Sequence, residues 1–232
     1  MMKNSLRFIT LALGLLAIAS APLTAAKQSY IQKLNDRLER AEWVLETIMV
    51  DASSTIPRNL LRQAKGIIIF NQYRAGFIFG GQGGNGVLVI RNPQTGRLGV
   101  PGFMTAGQVS FGLQAGYTEV NYVFLLMTDD AVTKAYSGRF NIGVDAKAVA
   151  GPVGKTAENF NLFRAEVLAY TGSSGLFAGA TVKGGWVSVD DKANRTFYDT
   201  TYSTPEILLS TWFKPPPAAQ PLIARLRGYQ AE

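Results

Sequence analysis

The sequence predicts an α+β domain: a curved, mostly antiparallel sheet, barrel-like or bent as a sandwich, with an N-terminal amphipathic helix and short additional helices. Three observations predict it. An apolar repeat at steps of three and four residues runs from Lys27 to Val50 without an internal Gly or Pro. All but two of the 24 glycines fall between Gly66 and Gly185, among short runs of Val, Ile, Phe and Tyr that suit strands and tight turns. After Asp190 the chain turns more polar and is punctuated by prolines that start and stop short helices. A chain of 232 residues is long enough for one sizeable core, and no internal repeat or second domain is apparent.

Residues 1–26 read as a signal peptide. Lys3 and Arg7 open the segment, Phe8 to Ala19 forms its apolar stretch, and Thr24-Ala25-Ala26 offers small residues for cleavage. The mature chain is therefore expected to be exported, periplasmic or peripheral in the cell envelope. In the next segment, 27–50, the apolar positions Ile31, Leu34, Leu38, Ala41, Leu45 and Ile48 share one helical face. Lys33, Arg37 and Arg40 border that face on one side and Glu39, Glu42 and Glu46 on the other. Trp43 and Val44 broaden the apolar face, as core packing requires. Pro57 and Gly66 bracket a short helix over Arg58 to Ala64.

Strands are expected over Ile67–Phe70, Gly76–Phe79, Val87–Arg91, Gln108–Tyr117, Val120–Met127, Phe140–Val149, Glu166–Thr171 and Leu176–Val189. Asn85-Gly86 and Asn92-Pro93-Gln94-Thr95-Gly96 read as hairpin connections. Asp129 or Asp130 caps a short helix through Tyr136 that Gly138 ends. Thr204-Pro205 starts another helix, stopped by Pro215-Pro216-Pro217, and Leu222 to Tyr229 forms a last amphipathic turn or two. The domain proper is expected over 27–199, with its glycine-rich β region at 66–189 and a C-terminal helical extension at 200–232.

Composition narrows the chemistry. The chain has no cysteine and no histidine, which removes disulfides, thiolate and imidazole metal sites, and every Ser-His or Cys-His catalytic arrangement. Carboxylate, lysine or tyrosine remain for proton transfer and need unusual burial or charged neighbours to work near neutral pH, so a non-catalytic role is expected, with no cofactor or metal. The formal charge of +7, or +5 without Lys3 and Arg7, favours anionic surfaces such as phospholipid headgroups, whereas an exported chain with scattered basic residues is not expected to bind nucleic acid. Gly80-Gly81-Gln82-Gly83-Gly84-Asn85-Gly86 has the glycine density of a phosphate-cradling loop, but Val87-Leu88-Val89-Ile90 continues as a strand where such a loop needs a helix, so the run reads as a hairpin. Asp145, among small and apolar residues, needs a partner such as Lys147, Lys155 or Arg139.

Several motifs in one order resemble the SYLF domain, a lipid-binding module of bacteria and eukaryotes. Ala64 to Phe70, Ala75 to Gly81 and Gly84 to Leu88 resemble its opening, and Gly112 to Gly116 followed by Val123 to Met127 its middle. Gly143-Val144-Asp145-Ala146, Ala150-Gly151-Pro152-Val153-Gly154, Ala169-Tyr170 and Gly175 to Gly179 are similar to its most distinctive segment. The likeness spans about Lys27 to Asp199, with one departure: Leu98-Gly99-Val100-Pro101 stands where the family usually has a Trp-Ser pair before the proline. The resemblance implies binding to anionic membrane lipids, phosphoinositides in eukaryotic members, with help from the N-terminal helix. Actin binding, a property of some fungal members, is not expected to transfer.

On this reading the lipid contacts are Lys33, Arg37 and Arg40 on the helix, with Arg139, Lys147 and Lys155 around the distinctive segment. Asp145, Gly151, Pro152 and Gly154 are its structural motif. Two other readings are an envelope scaffold that binds no lipid and an integral outer-membrane barrel of about eight strands. Val120–Met127 lacks the alternation that such a barrel requires.

Overall fold

The computed structural model describes residues 3–51, 55–76, 79–111, 116–153, 165–172 and 185–231, and at 3–24, 73–82, 108–119 and 185 it gives no more than the backbone course. Helix α1 (Lys3–Val50) is followed by α2 (Arg58–Gln63), then β1 (Gly66–Gly76), β2 (Phe79–Ile90), β3 (Gly102–Phe111) and β4 (Gly116–Leu126). Helix α3 (Asp129–Ser137), β5 (Arg139–Ile142), β6 (Ala148–Ala150), β7 (Val167–Thr171) and β8 (Gly185–Val189) come next, and α4 (Asp191–Phe197), α5 (Thr204–Leu209) and α6 (Gln220–Ala231) complete the chain. The eight strands form one sheet in the order β5-β8-β3-β2-β1-β4-β7-β6, antiparallel throughout except for the β6–β7 pair. Its two edges, β5 and β6, are consecutive in the chain and meet at a tight turn bridged by Ile142 and Ala146, so the sheet is nearly closed. The expected α+β class with a barrel-like sheet is the observed one.

Period-two alternation splits the core into two layers. Every strand supplies the inner one, which includes Ile68, Phe70, Leu88, Ile90, Met104, Phe124, Phe140 and Val187, and Ala131, Val132 and Ala135 of α3 and Leu208 of α5 pack into it. The outer layer sets Ile67, Ile69, Val87, Val89, Val123 and Leu125 beneath Leu34, Leu38, Ala41, Leu45 and Ile48 of α1. These outward aliphatic side chains meet a helix where the strands of an integral barrel would meet lipid. Burial on both faces is why the strands read as continuous aliphatic runs.

The C-terminal segment belongs to the same body. Leu222, Ile223 and Leu226 of α6 enter the outer layer, and Arg225 bonds Glu42 at 2.9 Å and Glu46 at 3.3 Å. The acidic border of α1 is thus the seat of α6.

Several expected elements are redrawn. Helix α1 begins at Lys3, so the segment read as a leader is continuous with the helix expected at 27–50. Trp43 is 46% exposed, and only Val44 of the pair joins the core. Asn85-Gly86 is no turn: it lies inside β2, opposite Asn71 and Phe70, and the expected strand Gly76–Phe79 is instead where β1 gives way to β2. A Cβ at Gly86 would overlap the Phe70 ring, so the glycine serves packing rather than reversal.

The strand expected at Gln108–Tyr117 is the end of β3 and the start of β4. Phe140–Val149 divides into β5 and β6 around Asp145, because the two strands must turn into each other to close the sheet. Of Leu176–Val189, the described part is β8. Thr128, not an aspartate, caps α3, its hydroxyl accepting from Ala131 N at 3.1 Å. Helix α5 ends at Leu209, well before the prolines, and Pro217–Ala219 forms a 3-10 turn leading into α6. The turn at Asn92–Gly96 stands as expected: Asn92 Oδ1 accepts from Gln94 N at 2.9 Å and Thr95 N at 3.1 Å, and Gly96 has φ of +66°.

Candidate functional site

The three basic residues on α1 come together. Lys33, Arg37 and Arg40 line a notch of about 190 Å³ between α1 and the sheet, with Asp36, Asn71 and Asn85. Arg37 is committed within the fold: its Nη1 lies 3.2 Å from Asp190 Oδ2, and Asp190 also caps α4 by accepting from Ala193 N at 3.0 Å. The Arg40 guanidinium carbon sits 5.0 Å from the centre of the Trp43 ring, a cation-π contact at the exposed edge of the helix. Lys33 is exposed. Asp36 brings a carboxylate into the same notch, its Oδ1 accepting from Gln32 at 3.0 Å.

The floor was not apparent as a site in the sequence. On the face toward α1, β1 reads Ile67, Ile69, Asn71; β2, run backwards, reads Val89, Val87, Asn85; and β4 reads Leu125, Val123, Asn121. The register sets Asn71 opposite both Asn85 and Asn121, so all three strands change from aliphatic to asparagine at one row. Asn71 Nδ2 donates to Asn121 Oδ1 at 2.7 Å across the β1–β4 pair. A row of carboxamides where the apolar layer stops gives the notch donors and acceptors next to its cations.

The remaining predicted residues lie elsewhere. Arg139 and Lys147 flank the β5–β6 seam, where the Arg139 guanidinium covers Trp186 at 4.1 Å and Lys147 N donates to Glu166 at 2.6 Å. Lys155 and Gly154 lie outside the described residues. Asp145 does not pair with Lys147 or Arg139. Its Oδ2 accepts from the Asn141 backbone N at 2.7 Å and from Asn141 Nδ2 at 2.9 Å, and these bonds, with help from the Lys134 charge, hold its carboxyl below the usual aspartate value. Lys134 Nζ in turn donates to Asp145 O at 2.8 Å. Asp145 is thus a staple of the seam turn.

Gly151 and Pro152 are structural as well. The Tyr170 ring fills the space a Gly151 Cβ would need, and its hydroxyl donates to Pro152 O at 3.3 Å.

The acids Asp129 and Asp130 each pair with a lysine of their own, Lys65 at 2.8 Å and Lys134 at 2.6 Å. A larger cleft of about 1000 Å³ opens between α1 and α4, lined by Lys27, Tyr30, Lys192, Arg195 and Asp199 among others, and there Lys27 binds Asp199 at 2.8 Å. Among the described residues, no helix is long and apolar enough to cross a membrane.

Fold and site together define a helix-covered, nearly closed sheet whose notch is built for polar contacts. Comparison with known proteins gives the family. A family model described as "Las17-binding protein actin regulator" and named Ysc84 matches residues 107–229, and the chain belongs to that family, whose domain is the SYLF domain. It is 36% identical over 194 residues to LAS seventeen-binding protein 3 of Saccharomyces cerevisiae, covering 81% of this chain and 42% of that one. Over 183 residues it is 35% identical to Protein YSC84 of the same yeast, covering 76% and 38%. With the human SH3 domain-containing YSC84-like protein 1 it shares 32% identity over 146 residues, covering 62% and 42%. The chain thus spans about two fifths of the length of these curated relatives.

Proposed function

We propose that this protein is an exported, peripheral component of the cell envelope that binds anionic membrane phospholipids without catalysing a reaction, and that the notch under α1 is its headgroup contact. The observation that carries this reading is the convergence of Lys33, Arg37 and Arg40 over the asparagine row. Exposed Trp43 beside Arg40 adds a ring suited to the headgroup zone, where one end of an indole is apolar and the other wet. The apolar face of α1 is buried against the outer face of the sheet, so the contact is made by cations and Trp43 with the helix still docked. Each cation near an anionic surface contributes about 1 kcal/mol, so the docked helix supplies affinity for anionic over neutral membranes rather than deep insertion.

The test is sedimentation of the full chain with phosphatidylcholine vesicles, with and without phosphatidylglycerol. Pelleting is expected with the anionic vesicles and is expected to weaken in the double variant Lys33→Gln, Arg40→Gln. Equal pelleting with both vesicle types, or an unchanged double variant, refutes the reading. A protein that ignores both vesicles but pellets with filamentous actin fits instead the family's description as an actin regulator.

A further inference from the structure

The notch contains more than an anion needs. Cations alone attract a phosphate, yet here Asp36 stands among them, and a carboxylate opposes a bare phosphate while accepting readily from a hydroxyl. Asn71, 7% exposed, and Asn85 add carboxamides, each able both to donate to and to accept from an alcohol. Carboxylate and carboxamides beside guanidinium and ammonium groups form a mixed set, matched to a ligand that is charged at one end and hydroxylated at the other. A notch of about 190 Å³ suits a phosphate with a three-carbon polyol and is small for a sugar ring carrying further phosphates.

We propose that the notch recognises a phosphate ester whose alcohol carries free hydroxyls, the chemistry of a glycerophosphate: Lys33 and Arg40 face the phosphate, with the Asp190-bound Arg37 beside them, and Asp36, Asn71 and Asn85 face the hydroxyls. This deepens the headgroup reading and rests on it. Two sources offer that chemistry, the headgroup of phosphatidylglycerol and a free glycerol phosphate.

The experiment measures binding of the full chain to phosphatidylcholine vesicles carrying equal fractions of phosphatidylglycerol, phosphatidic acid or phosphatidylserine, and to soluble glycerol 3-phosphate and inorganic phosphate by calorimetry. Phosphatidylglycerol is expected to bind more tightly than phosphatidic acid, by roughly fivefold for each hydroxyl hydrogen bond made. Asp36→Leu, on the exposed side of α1, is expected to abolish that preference while strengthening binding to phosphatidic acid; unchanged thermal unfolding shows the variant folded. Asn85→Val is expected to reduce the preference as well.

Equal binding of phosphatidylglycerol and phosphatidic acid, or a preference that survives both substitutions, overturns the hydroxyl recognition and leaves the headgroup reading standing. No preference for any anionic vesicle defeats the headgroup reading itself. Glycerol phosphate that binds more tightly than inorganic phosphate without any vesicle preference keeps the chemistry and assigns it to a soluble ligand.

Discussion

Replacing Gly151 by Ala isolates one contact within the segment most distinctive of the family. The Gly151 N–H donates to Ala169 O at 2.9 Å, which ties the end of β6 to β7, and the Tyr170 ring lies where the new methyl would go. Gly151 has no positive φ, so Ala suits the backbone and, without the ring, would stabilise by about 0.4–1 kcal/mol through the unfolded chain. With the ring present, a Tyr170 that is 3% exposed has little room to retreat, and overpacking of this kind costs about 1–3 kcal/mol. Tyr170→Leu alone loses the far half of the ring and the bond to Pro152 O, a cost of about 2–3 kcal/mol. The clashing atoms are the hydroxyl and the far ring carbons, beyond the reach of leucine, so the double variant is expected to cost no more than Tyr170→Leu alone. The expected coupling is about 2 kcal/mol, measured by urea denaturation of the four proteins in a double-mutant cycle. Costs that add to within about 0.5 kcal/mol would show that Gly151 is not there to admit the ring.

Asn194 is fully buried and acts as a substitute strand neighbour: its Oδ1 accepts from Phe103 N at 2.7 Å, and its Nδ2 donates to Phe103 O at 3.2 Å and Thr204 Oγ1 at 2.9 Å. Asn194→Leu is expected to destabilise by about 2–4 kcal/mol in urea, because a buried N–H is left without its acceptor; a loss under about 0.5 kcal/mol would refute that role. Burial holds the Tyr170 and Tyr198 phenols above the ordinary value of 10.0. The folded state therefore keeps protons that the unfolded chain gives up, so this contribution to stability is complete below pH 10 and declines as pH rises beyond it. Ultraviolet titration is expected to show two tyrosines ionising only together with the loss of circular dichroism, and early ionisation of all nine would contradict their burial.

What could be read from the sequence followed from local pattern. The face of α1 was legible because Leu34, Leu38, Ala41, Leu45 and Ile48 recur at helical spacing, and that same face is buried. Asn85-Gly86 misled because that dipeptide is a strong hairpin signal, and it takes the Phe70 ring and the Ile69 carbonyl of the neighbouring strand to explain a glycine there. Asp145 was placed in a strand because the residues around it are apolar or small, although its true partner, Asn141, was four positions away.

The floor of the notch was invisible for a different reason. Asn71, Asn85 and Asn121 each look like an isolated polar residue until two strand registers align them. Arg225 and Glu42 are 183 positions apart, so nothing local foretells that the last helix seats on the first.

That last pairing also sets the order of events during synthesis. Helix α1 leaves the ribosome long before Leu222, Ile223 and Leu226, which complete the layer it covers. The layer over the sheet therefore cannot close until the segment that carries those three residues has been made.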